Sequence, residues 1–213
     1  MKQWNSDQYC WVSDHPLIAE KLTTLRNQNT SSERFRAELE IVSRFLFFEA
    51  SRSLQTETYS VETPLEKIDG QHLKRTVLLV PILRAGLAMS NAIRQACPSS
   101  VGMLGMYRDH DTLQPVEYYS YLPEKASEMD VFLLDPMLAT GGSALAAIDT
   151  LKNKDVKSLT MIALIGAPEG LQNIRSAYPN LPIYLAAMDR QLNDIGYILP
   201  GLGDAGDRYF GTE

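Results

Sequence analysis

The chain has 213 residues, of which 45% are apolar and 22% charged, a composition typical of a globular domain with a substantial core. Its formal net charge of −6 at pH 7 argues against nucleic acid as the main partner. No apolar run reaches the roughly 18 residues of a membrane-spanning helix, and the first residues do not open a signal peptide.

The N-terminal residues 1–15 are mostly polar, and we expect them to form an arm rather than part of the core. They include Cys10, and the second cysteine is Cys97. The two cysteines lack metal-ligand spacing and are typical of small buried thiols in a reducing, cytoplasmic environment.

Two helices are predicted next. Pro16 begins a helix that ends near Asn27. The run from Thr30 to Glu33 then has the form of a capping box, and it leads a longer helix to about Leu54.

Three phenylalanines, Phe45, Phe47 and Phe48, widen the apolar stripe of the second helix beyond one core face. Either the helix lies in a thick core or the surplus contacts a partner subunit. We favour the partner subunit because large apolar patches are seldom left in water.

Several strands follow. A short strand is predicted at 61–65 and a buried strand at 77–80, after which a helix runs to about Ala96. Residues 101–107 form a further strand, and the alternating pattern at 116–121 indicates a β-hairpin that projects from the sheet.

In the second half of the chain, strands alternate with helices. We predict strands at 131–135, 158–165 and 183–188, and helices at 142–153 and 168–177. This alternation predicts an α/β fold with a doubly wound, mostly parallel sheet.

The C-terminal segment, residues 189–213, contains five glycines and almost no periodicity, which favours a structured binding loop. The chain is therefore expected to be one domain in three parts. These are an N-terminal arm with helices (1–60), an α/β core with a hairpin lid near 108–121 (61–188) and the C-terminal segment.

The stretch VFLLDPMLATGGS at 131–143 has the geometry of a phosphate site. A buried strand ends at Pro136, and the small residues 139–143, here called the phosphate turn, lead into a helix whose unpaired N–H groups favour an anion. For the Thr-Gly-Gly run alone, an ordinary tight turn remains the alternative. The stretch is not a P-loop, because no Lys follows the glycines, and G-x-G-x-x-G is absent.

Two arginines have positions that suit a phosphorylated ligand. Arg84 follows a buried strand beside a glycine, at the edge where ligands bind in open α/β sheets, and Arg108 lies at the mouth of the hairpin. An arginine at either position alone is more often a solvated surface residue. Together with the phosphate turn, the two arginines are better explained as groups that bind a diphosphate.

The nonapeptide DPMLATGGS resembles the phosphoribosyl diphosphate (PRPP) loop of the type I phosphoribosyltransferases, in the form of uracil phosphoribosyltransferase. The resemblance extends over nearly the whole chain. It is carried by DHPLI (14–18), NTSSERFR (29–36), VETPL (61–65), VPILRAGL (80–87), MYRD (106–109), LQPVEYY (113–119), APEG (167–170) and GYILPGLGDAGDRYFGT (196–212). There are two departures. Pro136 replaces the second acidic residue of the wider superfamily, and Ile195 replaces a frequent histidine.

The resemblance implies the site residues. Arg84, Arg108 and Asp204 would contact PRPP and act in catalysis. The PRPP loop, Asp135 to Ser143, would hold the 5′-phosphate end; its members are Asp135, Pro136, Met137, Leu138, Ala139, Thr140, Gly141, Gly142 and Ser143. The uracil site would comprise Ile198, Gly203, Asp204 and Ala205.

The implied reaction joins uracil and PRPP to give UMP and diphosphate, with Mg²⁺ as cofactor held mainly through PRPP. The resemblance also implies a homodimer or larger homo-oligomer, and some members of the family are activated by GTP. One alternative is a regulator of this fold that binds UMP or PRPP without catalysis, and another is a silent homologue that serves in an oligomer.

Overall fold

The computed structural model describes residues 1–108 and 115–212, except for the side chains at 107, 108 and 115. The chain folds around a mostly parallel sheet with the strand order β1-β2-β12-β11-β9-β5-β7-β8, to which β6 and β10 add short pairings. The strands are β1 (Lys2–Trp4), β2 (Asp7–Val12), β3 (Thr56–Glu62), β4 (Lys67–Leu73), β5 (Val77–Leu83), β6 (Ser99–Val101), β7 (Met103–Arg108), β8 (Pro115–Tyr121), β9 (Asp130–Leu134), β10 (Met137–Leu138), β11 (Ser158–Gly166), β12 (Ile183–Met188), β13 (Gln191–Leu192) and β14 (Ile198–Leu199). The helices are α1 (Pro16–Arg26), α2 (Ser32–Ala50), α3 (Gly86–Arg94), α4 (Gly142–Asn153), α5 (Pro168–Ala177) and α6 (Ala205–Phe210), with a 3-10 turn at Ala126–Glu128.

The centre of the sheet is parallel, and helices cover both of its faces. β9 lies between β5 and β11, and all three strands are apolar over most of their length, as expected for strands buried on both sides. Helices α1, α2 and α3 share one core cluster with Leu79 and Phe132, whereas α4 and α5 share the other with Leu78 and Leu133. The predicted doubly wound α/β fold is confirmed, including the bounds of α4 and α5.

The expectation that residues 1–15 form an arm outside the core is wrong. β2 pairs in parallel with β12, so it extends the central sheet, and β1 pairs with β2. Cys10 and Val12 point into the core from β2, because alternate residues of a strand share a face. Cys10 and Cys97 are both free and buried.

The start and end of the second helix also differ from the prediction. Ser31 is its N-cap and accepts the N–H of Arg34 at 3.3 Å, whereas the Thr30 hydroxyl donates to the carbonyl of Thr24 at 2.6 Å. The predicted capping box from Thr30 to Glu33 is therefore wrong: the cap is Ser31, and the residue three positions after it is Arg34 rather than Glu or Gln. The helix ends at Ala50 rather than near Leu54.

The strand predicted at 61–65 is wrong in its bounds, because most of that range is a turn. β3 and β4 form an antiparallel hairpin, and the hydroxyl of Thr63 accepts the N–H groups of Leu65 and Glu66 in the turn between them. Both strands are largely exposed on both faces, so they show no apolar alternation that a sequence reading could detect.

The single strand predicted at 101–107 is two strands. β6 and β7 are separated at Gly102, whose N–H donates to the carbonyl of Leu79 at 2.9 Å. The predicted hairpin is confirmed, since β7 pairs antiparallel with β8. Its tip, residues 109–114, lies outside the described residues, so the lid remains a prediction.

The three phenylalanines of α2 have different environments. Phe47 is in the core, Phe45 packs against the core, and Phe48 is 61% exposed. The apolar surplus on this helix therefore consists of Phe48 with Ile41, and its contact with a partner subunit remains a prediction.

The C-terminal segment is structured, with the short pair β13–β14 and the helix α6, which the sequence reading did not predict. In the part of the chain that the structure describes, no helix has the length and apolar character needed to cross a membrane.

Candidate functional site

A cavity of about 450 Å³ opens at the carboxyl edge of the sheet, where β5 and β9 end. Four parts of the chain border it: the end of β5 with the residues that follow it, Met106 of β7, the stretch from Asp135 through the phosphate turn, and the C-terminal segment. The lining residues are Ile82, Leu83, Arg84, Ala85, Met106, Asp135, Met137, Ala139, Ser143, Ile195, Gly196, Tyr197, Ile198, Gly201, Leu202, Gly203, Asp204 and Gly206.

The phosphate turn has a backbone that only glycine adopts easily at its centre. Gly141 is the N-cap of α4 with a φ of 83°, and a Cβ there would lie 2.9 Å from the carbonyl oxygen of Gly170. Gly141 has no side chain to cap the helix, so the first turn of α4 keeps N–H groups that the N-cap residue does not satisfy. This arrangement suits an anion such as a phosphate.

Helix α5 supports the turn from outside the cavity. Asn173 donates its side-chain amide to the carbonyl of Thr140 at 2.8 Å, and the hydroxyl of Thr140 accepts the N–H of Gly142 at 3.4 Å. The turn is therefore held by one hydrogen bond within itself and by one from a helix residue 33 positions further along the chain.

Asp135 lies at the end of β9 and lines the cavity. Burial raises the pKa of its carboxyl to about 6, although the N–H of Met137, which donates to Oδ1 at 3.2 Å, opposes the shift. This carboxyl therefore takes up a proton at a higher pH than an ordinary aspartate does.

Arg84 is exposed at the cavity and contacts the C-terminal segment. Its Nη2 atom lies 3.2 Å from Oδ1 of Asp207, and its guanidinium lies 5.8 Å from the centroid of the Phe210 ring. Asp207 also accepts the hydroxyl of Thr212 at 2.6 Å. Arg84 thus presents its donor groups between the phosphate turn and the C-terminal segment.

Asp204 caps α6, because its Oδ1 accepts the N–H of Asp207 at 2.9 Å. Its side chain is exposed at the cavity, which leaves Oδ2 directed to solvent or ligand. Peptide bonds Leu83–Arg84 and Leu199–Pro200 in the surrounding chain are cis.

The structure brings together most of the site residues that the sequence predicts. Eight of them line the cavity: Arg84, Asp135, Met137, Ala139, Ser143, Ile198, Gly203 and Asp204. Pro136, Leu138, Thr140, Gly141, Gly142 and Ala205 do not line it, and the side chains of Leu138 and Ala205 are only 1% exposed, so any ligand contact of those two would use the backbone. The side chain of Arg108 lies outside the described residues, and its role remains a prediction.

Four charged residues near the cavity were not predicted from the sequence. Asp207 pairs with Arg84, Arg26 pairs with Asp189, and the buried Arg208 donates to the carbonyls of Leu25, Leu202 and Asn27. Asp207 and Arg208 fall within the GLGDAGDR run that carries the resemblance, which was the only available signal. The pairing of Arg26 with Asp189 joins residues 163 positions apart and left no local pattern.

A divalent metal fits the site only together with ligand oxygens. Among residues 1–108 and 115–212, no group of three or more His, Cys, Asp or Glu side chains is placed to hold a metal ion. Asp135 and Asp204 are the carboxylates at the cavity that are not paired with an arginine, so they could complete a shell formed mainly by diphosphate oxygens.

A sequence profile of the uracil phosphoribosyltransferase family matches residues 12–212. The chain belongs to the uracil phosphoribosyltransferase family. A uracil phosphoribosyltransferase from Dictyoglomus thermophilum is 50% identical over 204 residues, which cover 95% of this chain and 99% of that protein.

Two solved structures have the same fold. A protein from Aquifex aeolicus superposes with a TM-score of 0.89 at 38% identity, covering 96% of this chain and 99% of that one. An adenine phosphoribosyltransferase from Trypanosoma brucei superposes with a TM-score of 0.63 at 13% identity, covering 92% of this chain and 90% of that one, and so shares the fold. Members of the uracil phosphoribosyltransferase family are pentosyltransferases that act on small molecules.

Proposed function

We propose that this protein transfers the phosphoribosyl group of PRPP to N1 of uracil, forming UMP and diphosphate in pyrimidine salvage. The observation that carries the proposal is the cavity itself. Residues of the phosphate turn, Arg84 and the glycine-rich part of the C-terminal segment all line it. A ribose placed in the cavity would therefore have both anion-binding groups and a base pocket within reach.

The phosphate turn would hold the 5′-phosphate of PRPP through the N–H groups of the first turn of α4. Arg84 would bind the diphosphate through its planar guanidinium group, and Arg108 would add a second positive charge from the hairpin. Because negative charge grows on the diphosphate as it leaves, these groups would bind the transition state more strongly than the substrate.

Mg²⁺, when bound, would supply further positive charge to the diphosphate. We expect it to be held mainly by PRPP oxygens, with Asp204 or Asp135 as the carboxylates available from the chain. Asp204 would orient PRPP or its Mg²⁺ and is not assigned as a general base, because the N1–H of uracil is acidic enough for positioning to suffice.

Uracil would be recognised by Ile198 and by Gly203, Asp204 and Ala205. The edge of uracil alternates carbonyl acceptors with N–H donors, so backbone groups of a fixed loop can read it. Cytosine has an amino group in place of a carbonyl and would leave buried loop groups unpaired, which is a strong basis for rejection.

The reaction also needs exclusion of water from the cationic sugar in the transition state, and we propose that the hairpin at 108–121 closes over the cavity.

Two buried, free thiols fit a reducing, cytoplasmic location. We further propose a homodimer or larger homo-oligomer, for which the exposed Phe48 and Ile41 on α2 are the supporting observation.

The decisive experiment mixes the purified protein with Mg²⁺, PRPP and radiolabelled uracil and follows nucleotide formation. Cytosine and hypoxanthine serve as base controls, and the assay is run with and without GTP. UMP from uracil alone is the expected result. No nucleotide under any condition would contradict the proposal and favour a non-catalytic regulator or a silent oligomer subunit.

A variant tests the predicted role of Arg108. Arg108→Ala should raise the KM for PRPP and lower kcat while the melting temperature stays unchanged, because the side chain is assigned to the ligand and not to the core. Arg94→Ala, at an exposed position at the end of α3, is the matched control. Unchanged kinetics for Arg108→Ala would remove this residue from the site.

A further inference from the structure

Two charged residues outside the cavity hold one residue of its wall, Gly201, through both its N–H and its carbonyl group. Arg26 and Asp189 form a two-bond ion pair, with Nη1 2.8 Å from Oδ2 and Nη2 2.5 Å from Oδ1. The same Nη1 donates to the carbonyl oxygen of Gly201 at 2.7 Å, and the N–H of Gly201 donates to Oδ2 of Asp189 at 2.9 Å. The ion pair therefore binds both the donor and the acceptor of Gly201.

The two partners come from rigid parts of the fold. Asp189 follows directly after β12, and its own N–H donates to the carbonyl of Gly166 at the end of β11. Arg26 is the last residue of α1. A loop residue held by groups on a strand and a helix is fixed more closely than one held by other loop residues.

The ion pair is poorly explained as a means of stabilising the fold alone. Asp189 is 6% exposed, and burying a charge pair carries a desolvation penalty that apolar residues of similar size avoid. The guanidinium and carboxylate instead provide directed hydrogen bonds to the two adjacent peptide groups that meet at Gly201. Their arrangement therefore suits the positioning of that residue.

Gly201 needs such support because its conformation is unusual and its location is functional. Its φ is +67°, and a Cβ at this position would lie 2.2 Å from the carbonyl oxygen of Ile198. It lines the cavity between Ile198 and Gly203, two residues assigned to uracil. A shift of Gly201 would move both sides of the base pocket.

We propose that Arg26 and Asp189 are positioning residues for uracil: they fix the backbone of Gly201 and thereby the geometry with which the C-terminal segment reads the base. This inference rests on the proposed function. Neither residue lines the cavity, so neither is a catalytic residue. The 5′-phosphate end of PRPP is assigned to the phosphate turn, so we expect PRPP binding to depend less on this ion pair than uracil binding does.

The test compares Asp189→Asn with the wild type in the UMP assay. Asparagine keeps the size of the side chain but replaces one acceptor with a donor, which faces either the N–H of Gly201 or the guanidinium of Arg26. We expect the KM for uracil to rise about tenfold or more, since a misplacement of about 1 Å can cost up to about 100-fold. The KM for PRPP should change less than about twofold.

Asp7→Asn is the matched control. Asp7 pairs with Arg175 at 2.6 Å and accepts the N–H of Tyr9 at 2.8 Å, so it combines the same two kinds of contact away from the cavity. Both variants should lose some thermal stability, but only Asp189→Asn should raise the KM for uracil. Arg26→Lys keeps the positive charge but loses the planar guanidinium that makes two parallel hydrogen bonds, so it should raise the KM for uracil by a smaller factor. This variant replaces Asp189→Asn in the test if Asp189→Asn does not fold.

The outcomes separate the two proposals. If the wild type forms no UMP, the proposed function fails and this inference fails with it. If the wild type is active and the folded variant keeps its uracil KM within twofold, the inference alone is rejected. It is also rejected if the KM values for uracil and PRPP rise together, or if Asp7→Asn produces the same change.

Discussion

The phosphate turn and the C-terminal segment border the same cavity but are held by different interactions. The phosphate turn is part of a strand-turn-helix unit, and its support comes from backbone geometry and nearby hydrogen bonds. The C-terminal segment is held by Arg26 and Arg208, whose contacts span 175 and 183 positions of the sequence. A local motif can therefore specify the first region, whereas the second exists only once the whole domain has folded.

The largest effect is expected from removing Arg208, which anchors the C-terminal segment. Its guanidinium donates to the carbonyls of Leu25, Leu202 and Asn27 at 2.5 to 2.7 Å, and it lies 4.4 Å from the centroid of the Phe35 ring. Arg208→Ala would leave buried carbonyls without a donor and should lower the free energy of unfolding by about 3 kcal/mol or more. Urea unfolding measures this.

The control for that variant is Arg190→Ala in the same segment. Arg190 has an exposed side chain, and its replacement should change the free energy of unfolding by less than about 0.5 kcal/mol. Equal losses for the two variants would show that Arg208 does not anchor the segment.

A pair of glycine substitutions tests whether the two regions act separately on the two substrates. Gly141→Ala introduces backbone strain at a φ of +83° and a contact of 2.9 Å with the carbonyl oxygen of Gly170. It should therefore lower the free energy of unfolding by about 2 kcal/mol and raise the KM for PRPP. Gly203→Ala, at a φ of +78° with Arg208 Cδ as its near neighbour at 3.3 Å, should raise the KM for uracil instead. Steady-state kinetics with each substrate varied in turn would reveal this crossed pattern, and equal changes in both constants for both variants would contradict it.

Asp135 gives the phosphate side a pH dependence of its own. Its pKa is raised by burial to about 6, so the folded protein binds this proton more tightly than the unfolded chain does. The contribution of this carboxyl to stability is therefore present at low pH and is lost as the pH rises from about 4 to about 6.

Asp135→Asn should remove that loss. The free energy of unfolding of the variant should exceed that of the wild type by about 1–2 kcal/mol at pH 7, and this difference should shrink as the pH falls toward 4. Urea unfolding of both proteins at several pH values measures the difference, in which the titration of all other groups cancels. A difference that does not vary with pH would contradict the shifted pKa.

The smallest effect is expected at Ile195, where the sequence departs from the family. This side chain is 70% exposed at the rim of the cavity. Ile195→His should change the free energy of unfolding by less than about 0.5 kcal/mol, and we expect a change in the KM for uracil of a few fold at most. A larger kinetic effect would show that the residue at this position contacts the base.

The sequence predicted the parts of this molecule that local patterns determine. Strand β9, the phosphate turn and α4 follow from an apolar run, a proline and a cluster of small residues. Strand β2 was missed because its pairing with β12 joins segments near the two ends of the chain, and α6 was missed because six residues carry too little periodicity. The partners of Arg84, Arg26 and Arg208 were missed because no residue spacing encodes a contact between distant segments.

The contact between Arg84 and Asp207 has a thermodynamic consequence for the two substrates. A diphosphate that draws Arg84 toward itself must compete with Asp207, which belongs to the segment assigned to the base. The affinities of the two ligands are therefore expected to be coupled. If bound PRPP changes the affinity for uracil by some factor, bound uracil must change the affinity for PRPP by the same factor. The reason is that the free energy of the ternary complex does not depend on the order of assembly.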